Sequence, residues 1–157
     1  MASKYKFVTF AVGGVFFGVD VSRVQEVFRQ HEITEVPLAP SAVAGVINLR
    51  GQIIPAMDLR SRLGFETAAG RQQMNVVVRT ATGPVSLVVD EIGDVTDVSS
   101  DLCETPPETL REAIREVTHQ VYKLESRLLL ELDTERIVRV SAQDSGQPRP
   151  LEKISVN

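Results

Sequence analysis

Tryptophan is absent from this 157-residue chain, and Cys103 is its one cysteine. A single cysteine excludes an internal disulfide, so nothing indicates an oxidising compartment, and Cys103 reads as a packing or surface residue. The two histidines, His31 and His119, lie 88 residues apart with no Cys or His at metal-ligand spacing, which leaves no zinc-type site and no expected metal or other cofactor. Lysine and arginine total 17 against 21 Asp and Glu, for a net charge of −4. No cluster of them stands out, and nucleic-acid binding needs one. Apolar runs stop short of the roughly 18 residues that a membrane span requires. The stretch "FVTFAVGGVFFGV" near the N-terminus is split by Gly13-Gly14 and lacks a small-x-small cleavage site, so it reads as two strands rather than a signal peptide. Serines lack the G-x-S-x-G setting of a nucleophile elbow, and "VGGVFFG" has no G-K-[ST] of a phosphate loop. The acids Asp90, Glu91, Asp94, Asp97, Asp101 and Glu104 miss the glycine and flanking helices of an EF-hand. They read as a solvated face or a docking surface for a basic partner.

What is present is aliphatic and turn-rich. With 43% hydrophobic and 24% charged residues, the chain suits one domain or two small subdomains sharing a core. Tyr5–Val12 and Val15–Val19 read as a hairpin about Gly13-Gly14. Asp20 or Ser22 is placed to cap a short helix carrying Val24, Val27 and Phe28 at helical spacing. "VINL" and "QIIPAM" read as strands joined by Arg50-Gly51, where the glycine supplies the positive φ of a type II turn. Asp58 then opens a helical turn ending at Gly64. Past the polar linker "ETAAGRQQ", "MNVVVRT" and "VSLVVDEI" form a second hairpin. Glu108–Val117 has helical spacing, and "HQVYKLE", "RLLLELD" and a short helix from Thr134 complete residues 1–140. Residues 141–157 form a polar tail, expected to be flexible.

An internal repeat stands out. "LRGQIIPAMDLRSRL" (Leu49–Leu63) and "LESRLLLELDTERIV" (Leu124–Val138) align without gaps at an offset of 75 residues. Asp58 meets Asp133, and five apolar positions coincide. A weaker echo pairs "FFGVD" (Phe16–Asp20) with "SLVVD" (Ser86–Asp90). Two related β-subdomains follow, about 14–80 and 81–140, with the first strand able to pair with either. Asp58 and Asp133 are expected at equivalent places. The second copy keeps the aliphatic frame but lacks "N-x-R-G", which assigns that polar set a task beyond folding. Glu26 and Arg50 are then either two independent exposed charges or a mutually oriented pair beside an apolar groove.

The segments "VDVSRVQEV", "ITEVPLAPSAVAGVINLRGQIIPAMDLRSRLG", "VSLVVDEIGDV" and "RLLLELDTERIV" together resemble the CheW family of chemotaxis coupling proteins from about Tyr5 to Val140. The resemblance implies a mainly β fold: two SH3-like five-stranded β-barrels packed side by side with a few short helices. It implies no enzymatic activity. The expected role is a cytoplasmic adaptor, monomeric when isolated. It would be recruited to membrane-associated arrays, where it bridges the helical cytoplasmic tips of chemoreceptors and the regulatory domain of a CheA-type histidine kinase. The family's receptor-facing groove between the barrels carries over to Val24, Glu26, Gly45, Asn48 and Arg50, with Val27, Thr34 and Val36 alongside. Met1 and the polar end at Asn157 favour a free-standing protein over a kinase regulatory domain. The alternative is a regulatory CheW-like domain acting within a non-flagellar chemosensory pathway, pilus or gliding. An enzyme or small-ligand sensor is the rival from another class, disfavoured because no titratable groups converge.

Overall fold

Valine-rich segments buried at consecutive positions, as strands covered on both faces are, dominate the chain, and the computed structural model, which describes residues 2–29, 31–40, 42–66, 73–140 and 149–150, folds them as strands. β1 (Lys4–Val12) and β2 (Val15–Asp20) form the expected hairpin. Asp20 then accepts the Ser22 N–H at 2.9 Å and caps a single 3₁₀ turn, Val21–Arg23. The next segment is β3 (Val24–Arg29), a strand and not the expected helix. Val24 and Phe28 are four residues apart, a spacing that fits period two as well as period 3.6. Pairing with the valine-rich β6 (Met74–Thr80) decides between them.

β4 (Val43–Leu49) and β5 (Gln52–Asp58) form a hairpin through Arg50-Gly51. Arg50 has φ 54° and Gly51 φ 86°. Two positive φ values define a type I′ turn, whose twist suits a two-residue hairpin better than the expected type II. Asp58 caps α1 (Leu59–Arg62), which ends before Gly64 as expected. β7 (Gly83–Val89) returns on β6, and β8 (Glu91–Ser99) follows. β9 (Cys103–Glu104) precedes α2 (Glu112–Arg115). The helix expected over Glu108–Val117 is thus one turn, because Pro107 to Leu110 close a separate turn by Leu110 N–H to Pro107 O at 3.2 Å. β10 (Thr118–Lys123), β11 (Leu128–Leu132) and the Asp133-capped α3 (Thr134–Ile137) come next. The linker residues 67–72 and most of the tail lie outside the described residues. Within the tail, β13 (Arg149–Pro150) pairs with β12 (Arg139–Val140).

The strands form a five-stranded sheet, β3-β6-β7-β5-β4, and a six-stranded sheet, β8-β1-β2-β11-β10-β9. The fold is therefore mainly β with a few short helices, as expected, with β9 extending the second sheet beyond five. Sheet membership does not change near residue 80: β7 belongs with β6, and β2 belongs with β11. Hairpins cannot be split without exposing a row of backbone donors, so the N-terminal hairpin completes the second unit. Each unit closes by one parallel pairing, β5 with β7 and β11 with β2.

The repeat holds at the level of register. The offset of 75 carries the Ala56–Ser86 pairing onto Glu131–Gly18, provided that β7 is shifted 68 residues onto β2. The weaker echo in the sequence is therefore two residues out: Ser86 is level with Gly18, not with Phe16. The bulge between Val43 and Gly45 recurs between Thr118 and Gln120. The irregularity of β3 after Val24 recurs in β8 after Ile92. Asp58 and Asp133 cap their helices with nearly the same backbone, φ −81° and −83°.

Two small clusters fill the barrel interiors. One holds Ile47, Ile54, Ala56, Val77 and Val88; the other holds Phe7, Val98, Tyr122 and Leu129. A larger cluster lies between the units and draws Phe10, Phe17, Leu130 and Ile137 from one and Val43, Met57, Leu59, Leu63 and Leu87 from the other. Arg60 of α1 reinforces this joint. Its Nε and Nη2 donate to the two Asp90 oxygens at 2.7 and 2.8 Å, and Asp90 also accepts the Gly13 N–H at 2.9 Å. Both side chains are only 13% and 15% exposed. Asp90→Ala leaves a shielded guanidinium and a turn N–H without their acceptor, and is expected to destabilise by about 2–4 kcal/mol. A urea titration comparing it with Asp20→Ala, a half-buried cap worth about 1 kcal/mol, checks this. Equal shifts for the two variants would contradict the joint.

Candidate functional site

The "N-x-R-G" residues are assembled by the β4–β5 hairpin. The left-handed backbone at Arg50 lifts its side chain off the turn, and Asn48 Oδ1 accepts the Gly51 N–H at 2.9 Å, which holds the turn closed. From there Arg50 reaches β3, where its Nη1 and Nη2 donate to Glu26 Oε2 and Oε1, both at 2.6 Å. This bidentate fork is the strongest geometry available to a carboxylate. The hydrogen bonds and charge of Glu26 raise the Arg50 guanidinium above its ordinary pKa. The Arg50 side chain is nevertheless 74% exposed, against 22% for Glu26. An exposed pair contributes little to stability; what the fork does fix is the direction of an exposed cation. The second unit cannot reproduce it: by register its counterparts are Asp94 for Glu26, Lys123 for Asn48 and Glu125 for Arg50. Among the described residues neither Asp94 nor Glu125 joins an ion pair.

The remaining expected residues divide. Val24, Glu26 and Val27 lie on strand β3 instead of a helix, so strand alternation turns Val27, 44% exposed, away from the face that carries Glu26. Val24 is partly buried against the shared core. Thr34 makes a two-bond bridge to Val46, each N–H to O distance being 2.8 Å, and Val36 follows it, half-buried. Gly45 has φ 149°, and a Cβ there would lie 2.1 Å from Thr34 O. The close approach that Gly45 permits is thus made by the chain's own backbone. All eight residues belong to the unit of the five-stranded sheet. Sequence reasoning missed Arg79 on β6, whose Nη1 donates to Ser22 O and Val24 O at 3.1 and 3.2 Å and holds the chain where it enters the β3 bulge. An arginine in a valine-rich strand carries no signal of that contact.

Among the described residues, no group of three His, Cys, Asp or Glu is close enough to hold a metal ion, and no helix is long and apolar enough to cross a membrane. Cys103 is exposed, and its thiol donates to Gln120 Oε1 at 2.8 Å. An open cleft of about 550 Å³ lies on the second unit, lined by Asp20, Arg23, His119, Glu131, Asp133 and Glu135 among others. Its register counterparts in the first unit include Ala44, Ala56 and Val88, which pack as core. Glu131 is half-buried, and burial raises its pKa, assisted by Asp20 and Asp133 and opposed by His119 and the Tyr122 hydroxyl, which donates to it at 3.3 Å.

An exposed, oriented ion pair thus sits at the hairpin end of one of two β units of related register. The CheW-like domain family matches residues 6–142, and the chain belongs to that family. It is 32% identical over 130 residues to the chemotaxis protein CheW of Rhizobium meliloti, covering 81% of this chain and 84% of that protein. The CheW of Bacillus subtilis is 29% identical over 144 residues, 91% of this chain and 92% of that protein. Protein PilI of Pseudomonas aeruginosa is 32% identical over 124 residues, 78% and 70% of the two chains. Among solved structures, the scaffolding protein TtCheW from Thermoanaerobacter tengcongensis aligns with a TM-score of 0.79 at 25% identity, covering 90% of this chain and 97% of that one.

Two outcomes follow from this geometry. Gly45→Ala forces a methyl into Thr34 O, so the Thr34–Val46 bridge must break; a loss of about 2–4 kcal/mol is expected in denaturant titration, and a change below about 0.5 kcal/mol would refute the close contact. For Glu131, a folded pKa above the unfolded 4.5 means the folded state holds the proton more tightly. Stability is therefore highest below the unfolded value and falls as pH rises through the window up to the folded one. Glu131→Gln should flatten that part of the stability–pH curve and be the more stable protein at neutral pH. Parallel curves would place Glu131 in free solvent.

Proposed function

We propose that this chain is a non-catalytic adaptor that couples the helical cytoplasmic tips of chemoreceptors to the regulatory domain of a CheA-type histidine kinase. The family supports the chemotaxis scaffold role, and one structural observation supports the receptor contact: the Glu26–Arg50 fork is exposed and bidentate, and the second unit of the same fold omits it. A helical partner needs fixed polar groups for register and aliphatic area for affinity. Arg50, Glu26 and Asn48 supply the first, and Val24, Val36 and the neighbouring Ile53, 45% exposed, supply the second. Catalysis needs converging acid–base or nucleophilic groups, and the ionised pair at the Arg50 edge is already matched by its own bidentate bond. In this reading the protein works in the cytoplasm, at receptor arrays, without entering the bilayer.

A pathway with pilus or gliding output is the second reading. It is motivated by the likeness to Protein PilI, which at 32% matches that to the Rhizobium meliloti CheW. Receptor-tip affinity and melting temperature, measured for wild type, Arg50→Ala, Arg50→Lys and Glu26→Ala, test the site. Arg50→Ala and Glu26→Ala should each weaken binding about tenfold or more while melting within about 2 °C of wild type. Arg50→Lys should recover only part of the loss, since an ammonium cannot reproduce the fork. Unchanged affinity in both alanine variants would reduce the "NLRG" segment to a turn.

A further inference from the structure

Leu38 is 98% exposed and has φ 64°. Each property is unfavourable for leucine: the side chain gains nothing from burial, and the left-handed backbone brings its Cβ against the following carbonyl. The residue sits in the turn Val36–Ala39, closed by Ala39 N–H to Val36 O at 3.3 Å. Pro37 holds the second position, and Leu38 the third, which in a turn of this type favours glycine or asparagine. The turn is anchored on its C-terminal side. Ala39 packs against the shared core, Pro40 is buried, and Pro40 O accepts the Val43 N–H at 2.9 Å.

The repeat removes a folding explanation. Thr34 bridges Val46 as Glu104 bridges Val121. The turn Val36–Ala39 corresponds to Pro107–Leu110, closed by Leu110 N–H to Pro107 O, which sets Leu38 level with Thr109, an exposed residue without a positive φ. The fold unit therefore accepts a polar residue with ordinary backbone there. A lone exposed leucine is unremarkable on most surfaces, but one held in a left-handed turn between two prolines has a fixed direction.

We infer that Leu38 is an apolar anchor for the same helical partner that meets the Glu26–Arg50 edge, presented in a fixed position for insertion between partner side chains. The inference rests on the receptor reading above. Thr34 and Val46 run antiparallel, so Leu38 and Arg50 lie toward opposite ends of this edge. Four residues lie on either side of the bridge, which limits their separation to roughly 27 Å. A helix spans that distance in about five turns. A rod lying along the edge can therefore touch both, and a backbone already fixed in place leaves only the Leu38 rotamers to be ordered on binding.

The test uses the full chain and a purified cytoplasmic hairpin fragment of a chemoreceptor, with affinity by calorimetry and a thermal melt for each variant. Leu38→Gly relieves the backbone and should melt about 2 °C higher than wild type, yet bind at least about fivefold more weakly. Leu38→Ala keeps the backbone conformation, and should bind as weakly without the gain in melting temperature. Affinities of both variants within twofold of wild type, while Arg50→Ala is weakened, overturn the anchor and leave the Arg50 edge standing. Loss of affinity in Leu38→Gly alone also overturns it, because the turn and not the side chain would then carry the effect. No weakening in any of the three variants removes the receptor reading and the anchor together.

Discussion

The apolar layer between the two units carries the structure. Among the described residues it holds 20 buried side chains, whereas the two barrel interiors hold five and four. Interiors that small would leave either unit marginal if it stood alone. The layer also explains the chain path. β1 and β2 leave the N-terminus, join the second unit through seven antiparallel pairs of β1 with β8 and two parallel pairs of β2 with β11, and place Phe10, Phe17 and Val19 in one cluster with Leu59 and Leu87 of the first unit. The units are thereby interlocked by covalent connectivity as well as by burial. Relative motion of the kind expected across polar domain boundaries is disfavoured by an interface of this composition.

Against that common frame the two copies differ in where they place polar groups. The first unit keeps an apolar interior with one buried polar pair, Asn75 Nδ2 donating to Ser86 Oγ at 2.9 Å, and puts its charge at the hairpin end as Glu26 and Arg50. The second unit sets Phe7 over Gly18 at the counterpart positions, where a Cβ on Gly18 would lie 3.1 Å from Phe7 Cβ. It carries Asp20, His119 and Glu131 where its sibling has Val88, Ala44 and Ala56. Duplication of a fold unit frees one copy from conserving the other's surface. Here the registers stay identical while charge at the β3 and β8 edges departs: Arg29 of one corresponds to Asp97 of the other.

This division of labour shapes the functional reading. The proposed docking surface needs side chains set at fixed places, and the frame sets their backbone through local devices: a type I′ turn under Arg50, a bulge before Glu26, and a proline-held turn under Leu38. Arg50 and Leu38 are the non-glycine residues with positive φ among the described residues. Both are exposed and both lie on the same unit. Strain of this sort persists where surrounding structure over-determines it, and the Thr34–Val46 bridge lies between the two.

Much of the fold was legible in the sequence because β-hairpins and capped helical turns are local. The Gly13-Gly14 turn, the capping roles of Asp58 and Asp133, and the 75-residue repeat each depend on neighbours within a short segment. The resemblance to the CheW family rested on the same local patterns. Three matters were decided only by tertiary structure. β3 became a strand because β6 offered it a pairing edge, which spacing of apolar residues cannot reveal when four-residue steps fit both periods. The N-terminal hairpin joined the second unit through a pairing with β11 more than 100 residues away, an association set by burial and not by sequence proximity. The site followed the same rule. The residue types Glu26 and Arg50 were readable, but their 2.6 Å fork, the left-handed turn behind it and the exposure of Leu38 arise only when β3, β4 and the shared core are brought together.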